Sequence, residues 1–390
     1  MFFLDMPYVS KFLQKSLKES FAPVVQTPAS KKLDLIDGLN IISEEEAVNL
    51  VKKRENLPLY CTSENSIGWI CKNLSFTALP EKINLFKDKL RFRNLIKPLF
   101  PEFYFKAIKY GEFDTVKYEE FPKEFIIKPA VGFMSAGVHL VSSKIEFQNA
   151  IKSIKKELKE IEGLYPEEVL SAKEFIVEEV IYGDEYAIDV YFDLSGEAVI
   201  LTILKHMFFD EADVGDRVYS SSKSIIEENL EEFKEFLNKI GKLADIKNLP
   251  LHVELRKSDK GKLSFIELNP MRFGGWCTTA DITHIAYGFN PYLYYYEQKR
   301  PDWSEILKDK GDELYSIVVL DNSTGVSTKD IKTFDYEKFL SKFKNPLELR
   351  KIDFSIYPVF GFLFVKTKQE DIKELEDILA SDLREFISLF

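Results

Sequence analysis

At 390 residues the chain is longer than one ordinary domain, so two or three are expected. A hydrophobic fraction of 45% with 14% aromatics supplies real cores and excludes a disordered chain. The 53 lysines and arginines face 64 acids, a formal charge of -11, which argues against nucleic acid as a partner. Cys61, Cys71 and Cys277 are too few and too scattered for a disulfide framework or a zinc site. The opening stretch, MFFLDMPYVSKFLQKSLKES, carries Asp5 and no small-residue cleavage site, so it does not read as a secretory leader. No apolar run nears the roughly 18 residues that a membrane span needs. A reduced, cytoplasmic protein off the membrane is the expectation.

In chain order, FFLDM reads as a strand and PYVSKFLQKSLKES as a helix with Pro7 in its first turn. In SEEEAVNLVKKRE, Ser43 is a candidate N-cap, and the acids behind it suit the positive end of the helix dipole. PLYCTSENSIGWICKNL is strand, polar turn and helix, and this βα alternation predicts a small parallel-sheet domain over residues 1–80. NLFKDKLRFRNLIKPL is one basic helical stretch ended by Pro98 and Pro101. EFIIKPAVGFMSAGVHLVSS is strand, loop and strand, followed by the long charged helix KIEFQNAIKSIKKELKEIEG. EFIVEEVIYGDEYAIDVYFD and EAVILTILKHMFF read as neighbouring strands. SIIEENLEEFKEFLNKIGKLADI repeats Ile, Leu and Phe at three- and four-residue steps, the pattern of an amphipathic helix. From about Pro301, YSIVVLD and VFGFLFVKT are strands, and TKDIKTFDYEKFLSKF and QEDIKELEDILASDLREFI are helices.

Between them lies LHVELRKSDKGKLSFIELN, a hairpin whose polar turn suits a tight connection. Alternation puts His252, Glu254 and Arg256 on one face of its first strand. Phe265, Glu267 and Asn269 share a face of the second. With Lys260-Gly261 as the loop, Glu254 stands opposite Glu267 and His252 opposite Asn269. Two facing carboxylates repel by up to ~1 kcal/mol. Protonation, solvation of a charged hairpin face, or a cation relieves that repulsion. Two carboxylates and an amide oxygen are hard ligands of the kind Mg²⁺ takes together with water and phosphate.

Upstream, FIIKP ends an apolar strand on Lys128, and AVGFMSAGV follows with Gly132, Ser135 and Gly137. Small residues let backbone N–H groups approach phosphate, although no GxxxxGK[ST] loop occurs. FIVEEVIYGDE then offers Glu178, Glu179, Ile181 and Glu185. There an edge backbone is able to read a base, and a carboxylate to bind ribose hydroxyls. Each segment alone reads equally well as an ordinary charged turn.

Their order is specific. Lys89 in a basic stretch, Lys128 with its loop, EEVIYGDE, and HVELR…FIELNPMRFGG succeed one another as in the ATP-grasp superfamily, which this sequence resembles over roughly residues 85–300. The resemblance implies an α/β (α+β) chain: an ATP-grasp domain over 81–300 in two subdomains, 81–177 and 178–300, the preceding small βα domain, and a C-terminal α+β segment over 301–390. It implies that Lys89 and Lys128 hold ATP phosphates and that the Gly132–Gly137 loop, with Ser135, closes over them. Glu178, Glu179 and Ile181 would read adenine, and Glu185 the ribose. Glu254, Glu267 and Asn269 would hold one or two Mg²⁺ (or Mn²⁺). The implied activity is ligation of a small-molecule carboxylate to an amine through an acylphosphate, with Arg256, Arg272 and His252 as candidate catalytic groups. A phosphotransferase and a non-catalytic nucleotide binder are the alternatives. Pro270 and Met271 delay Arg272 by one position against the Asn-x-Arg of many relatives, and the loop is poorer in glycine. His252 stands where D-alanine–D-alanine ligases have arginine, which argues against that activity. Trp276, Thr278, Thr279 and Asp281 are candidate acceptor-side contacts or simply packing. The last ninety residues are open to three roles: completing the fold, covering the site or forming a homodimer.

Overall fold

The computed structural model describes residues 1–132, 137–161, 171–209 and 215–390; Ser135 lies outside the described residues. Strands β1 (Phe2–Phe3), β2 (Val24–Val25), β3 (Ile41–Ile42) and β4 (Tyr60–Cys61) form a parallel sheet in the order β3-β2-β1-β4. Helix α1 (Lys11–Ser20) begins behind Ser10, whose hydroxyl accepts from Leu13 N–H at 3.1 Å, so Pro7 stays outside the helix expected to contain it. Helix α2 (Glu44–Lys53) starts at Ser43 in a capping box with Glu46. Helix α3 (Ile67–Asn73) completes this unit.

The basic stretch that follows is two helices, not one. Asp88 leaves helical geometry (φ -87, ψ 105), and its carboxylate accepts from the N–H groups of Leu90 and Arg91. It thereby ends α4 (Leu79–Lys87) and caps α5 (Lys89–Ile96). The break turns Lys87 and Lys89 inward together, which two residues spaced i, i+2 on a continuous helix cannot do.

A small antiparallel sheet runs β5-β8-β6-β7, with β5 (Phe105–Lys109), β6 (Phe125–Val131), β7 (His139–Val141) and β8 (Ser171–Glu179). Phe125, Ile127, Phe175 and Val177 pack against Phe147 and Ile154 of α6 (Lys144–Ile161). Alternation then turns Lys128 and Glu178 to the opposite face. Strand β8 lies between β5 and β6, so Glu178 has an interior backbone rather than the expected edge one.

The chain then crosses to a second sheet, which splits EFIVEEVIYGDEYAIDVYFD between β8 and the next strand, and that next strand does neighbour EAVILTILKHM as expected. Gly183 makes the crossing at φ 128, where an added Cβ would lie 2.3 Å from the Lys257 carbonyl oxygen. Strands β9 (Asp184–Phe192), β10 (Ala198–Met207) and β11 (Val218–Ser221) pair antiparallel. After α7 (Lys223–Leu243) come β12 (Leu249–Lys257), β13 (Leu263–Pro270) and α8 (Thr278–Tyr287). The C-terminal part adds β14 (Leu314–Asp321), β15 (Ile331–Phe334), β16 (Pro346–Lys351), β17 (Val359–Thr367) and β18 (Ile387–Leu389). Among the described residues the large sheet has eight antiparallel strands in the order β13-β12-β9-β10-β11-β14-β17-β16. Helix α7 covers the face carrying Tyr186, Val253, Leu255 and Phe265, with Phe236 stacked on Phe265 at 4.5 Å. Helix α8 packs Ile282 on Ala187 and Leu204 of the other face.

Two expected C-terminal helices are mostly replaced. Only Tyr336–Leu340 and Lys373–Leu379 are α-helical in these stretches, because β15 and β18 pair and bury Ile331 and Phe334 with Phe360 and Phe386. No helix among the described residues is long and apolar enough to cross a membrane.

The N-terminal unit docks through a buried acid. Glu64, on the turn after β4, receives Lys87 Nζ at 2.5 Å and Arg272 Nη2 at 2.8 Å. Burial works to raise its carboxyl, but the two cations prevail and hold it at about 2. A carboxyl held below its ordinary 4.5 stabilises the fold fully above pH 4.5, and that stabilisation is lost as the pH falls toward 2. We expect the urea midpoint to drop between those limits, with a visibly shallower pH dependence in Glu64→Gln. Gly183→Ala, strained in φ and in contact distance, should lower the unfolding free energy by about 2 kcal/mol in the same assay.

Candidate active site

The small and large sheets face each other across a cavity of about 370 Å³. Its floor is formed by Glu254, Arg256, Glu267 and Asn269, which belong to cross-strand rows of the large sheet. One row is Asn269, His252, Asp189 and Thr202; the next is Glu267, Glu254 and Ala187; beyond them Arg256 pairs with Glu185. Glu254 therefore stands opposite Glu267 and His252 opposite Asn269, as alternation predicts. A bulge after Glu254 shifts the rest of the hairpin, so Arg256 faces Ser264, and Phe265, expected on the face of Glu267, falls opposite Leu255 on the core face instead.

The two acids respond differently to one another. Burial raises the Glu254 carboxyl and Glu267 pushes the same way, against the His252 contact. At Glu267 burial is outweighed by Lys89, Lys87 and Lys128, so its carboxyl is lowered. Lys89 Nζ lies 3.3 Å from Glu267 Oε1 and 3.5 Å from the Gly132 carbonyl, and Lys87 Nζ lies 3.5 Å from Asn269 Oδ1. The helix break at Asp88 thus delivers one lysine to each ligand-bearing row.

The roof is held by Glu178. Its carboxylate takes Arg93 Nε at 2.6 Å and Lys128 Nζ at 2.8 Å, and these cations hold it at about 2 against the effect of burial. Burial lowers Lys128 in turn, more than Glu178 restores it. Glu178 was expected to read a base; instead it positions Lys128, and its side chain is spent on two cations. Beyond Glu179 the chain leaves the sheet, and Val180 and Ile181 line the cavity. Gly132 lines it too, while Gly137, at φ 72, lies against Pro129.

Two expected catalytic groups are committed elsewhere. Arg256 donates to Glu185 Oε2 at 2.8 Å and to the Ile181 carbonyl at 2.6 Å, so it braces the cavity wall that these two residues form. Glu185 also faces His206 Nδ1 at 3.3 Å. His252 sits between Asp189 Oδ1, 2.8 Å from Nδ1, and Glu254 Oε1, 3.5 Å from Nε2. It stands opposite Asn269 on one side and bonds Asp189 on the other. Burial alone would lower its pKa, but the two carboxylates push it up to about 9. A ring protonated at neutral pH has no lone pair for general-base work.

Arg272 lines the cavity with its guanidinium on Glu64 and on the Phe273 carbonyl. Behind it, Trp276 packs edge-on against Tyr357 at 5.1 Å and tilts over Phe362. Thr278 bonds the Gly275 carbonyl. Asp281 is paired with Arg350 of β16 at 2.6 Å and with Tyr292. Thr278 and Asp281 are thus held in internal contacts. The sequence gives no hint of Glu64 or Arg350, which arrive from other units. Asp189 shares the parity of Glu185 on one strand, and that alternation is the signal that finds it.

Among the described residues no group of three or more His, Cys, Asp or Glu is placed to hold a metal alone. Glu254, Glu267 and Asn269 are instead hard oxygen donors that leave most of a shell to water and phosphate. That donor set fits Mg²⁺ or Mn²⁺.

Comparison with known proteins points the same way. The full chain superposes on an L-amino acid ligase from Bacillus licheniformis with a TM-score of 0.67 at 14% identity, covering 100% of this chain and 98% of that one. A biotin carboxylase from Campylobacter jejuni, solved as a β,γ-ATP complex, gives 0.64 at 12% identity, covering 100% and 92%. The biotin carboxylase domain dimer of 2-oxoglutarate carboxylase from Hydrogenobacter thermophilus, solved with MgADP, ADP and bicarbonate, gives 0.61 at 12%, covering 100% and 90%. A search of curated proteins gives no match. Residues 121–280 match the family model described as the ATP-grasp domain. The chain is a mixed α/β protein that carries an ATP-grasp domain.

Proposed function

We propose that this protein is an ATP-dependent ligase that joins a small-molecule carboxylate to an amine through an acylphosphate. The observation that carries the reading is the opposed pair Glu254 and Glu267 beside Asn269, in one cavity with Lys89 and Lys128. Structures of similar fold were solved with ATP or MgADP, and one of them with bicarbonate, which supports a nucleotide beside a carboxylate-like group.

In this reading Lys89 and Lys128 hold the phosphates, and the Gly132–Gly137 loop closes over them. Backbone at Glu179 to Ile181 reads adenine, and Glu185 binds ribose. Mg²⁺ on Glu254, Glu267 and Asn269 would neutralise charge on the terminal phosphates. A substrate carboxylate oxygen attacks the γ-phosphorus and ADP leaves; the amine then attacks the acyl carbon and inorganic phosphate leaves. Arg272 holds the substrate carboxylate or the oxyanion of the second step, where a fixed guanidinium costs no reorganisation. We divide the chain at 80 and 300, with residues 301–390 extending the large sheet past β11 through β14. A cytoplasmic location accords with three cysteines that form no disulfide.

The test is a screen of carboxylates and amines with Mg-ATP, read by ADP release and mass spectrometry. A condensed amide with equal ADP and phosphate supports the ligase. A product that retains phosphate replaces it with a phosphotransferase, and bound ATP that persists through the screen with a nucleotide binder. Glu267→Gln should reduce turnover about 10²-fold or more while the unfolding midpoint stays within a few degrees.

A further inference from the structure

Asp189 is fully buried on β9, and three donors from three elements converge on it. Oδ1 takes His252 Nδ1 of β12 at 2.8 Å and the Gly274 N–H at 2.9 Å; Oδ2 takes the Thr279 hydroxyl of α8. The far nitrogen of the same imidazole lies 3.5 Å from Glu254. An unbroken polar chain therefore runs from Glu254 through His252 and Asp189 to the two ends of the turn behind Arg272.

That turn is held closely. The Gly274 N–H also reaches Thr279 Oγ1 at 2.9 Å, and a Cβ at residue 274 would lie 2.2 Å from the Thr279 side chain. Between these anchors Trp276 and Cys277 both sit at φ 58, a conformation that persists only where surrounding contacts enforce it. Thr283, one helical turn beyond, bonds the Thr279 carbonyl and the Thr202 hydroxyl, so the start of α8 is fixed on the same row of the sheet.

We propose that Asp189 is a positioning residue that couples the orientation of Glu254 to the Gly274–Thr279 turn directly behind Arg272, so that the metal-nucleotide end of the cavity and its acceptor end answer to one buried carboxylate. The proposal rests on the reading of Glu254 as a metal ligand. A carboxylate suits this place because it only accepts, and all three partners donate. Asparagine would keep the shape but present an NH₂ group to one donor, turning the imidazole or releasing the turn. Coupling carried by such a network is reciprocal: whatever loosens the turn loosens the metal.

The test is Mn²⁺ binding in the presence of ADP, followed by electron paramagnetic resonance on the full chain. Asp189→Asn should weaken Mn²⁺ about 10-fold or more, the range found for partners of ligating groups. Thr279→Val, which touches neither Glu254 nor His252, should weaken it at least about 3-fold, and Thr279→Ser should restore it. Thr279→Ala replaces the valine variant if circular dichroism shows that valine does not fold. Affinity within twofold of wild type for the Thr279 variant overturns the coupling, whatever its melting temperature does. Failure of the wild type to bind Mn²⁺ with ADP overturns the ligase reading and this proposal together; normal wild-type binding with an unmoved Thr279 variant overturns this proposal alone.

Discussion

Two carboxylates face each other on adjacent strands, and the site is organised around that unfavourable contact. In a hairpin one face is buried and one faces the cavity, so the repulsion of Glu254 and Glu267 cannot be relieved by turning either acid into the core occupied by Val253, Leu255 and Leu268. The surroundings divide the pair instead. Lysines gather on Glu267 and His252 on Glu254.

The lysines and Arg272 come from outside the strands of the large sheet, and each has a separate cause. Lys87 and Lys89 depend on the helix break at Asp88. Lys128 depends on the pleat of β6 and on Glu178 across the strand pair. Arg272 depends on Glu64 of the N-terminal unit. Removing one partner of such a buried pair leaves the other uncompensated, so these contacts act together, more for geometry than for net stability.

How much of this was legible in the amino-acid sequence follows from the range of the interactions. Alternation in LHVELRK and LSFIELN is local, and it suffices to place Glu254 opposite Glu267. The capping box at Ser43 is equally local. The position of β8 inside its sheet is not local, so the interior backbone of Glu178 and its two cations were out of reach. The same holds for the pairing of Glu64 with Arg272 and of Arg350 with Asp281, across 208 and 69 residues. The C-terminal stretches that read as helices show tertiary pairing overriding a 3.6-residue pattern, with Phe334 and Phe386 more stable in a shared core. The commitment of His252 to two acids follows from Asp189, which alternation reveals only once β9 is known to border β12.

Arg93 bonds Glu178 of the small sheet and, through Nη2, the Phe265 carbonyl of the large one at 2.8 Å. One guanidinium thus pins the two jaws along the α5 flank. Parting them there would strand a buried ion pair.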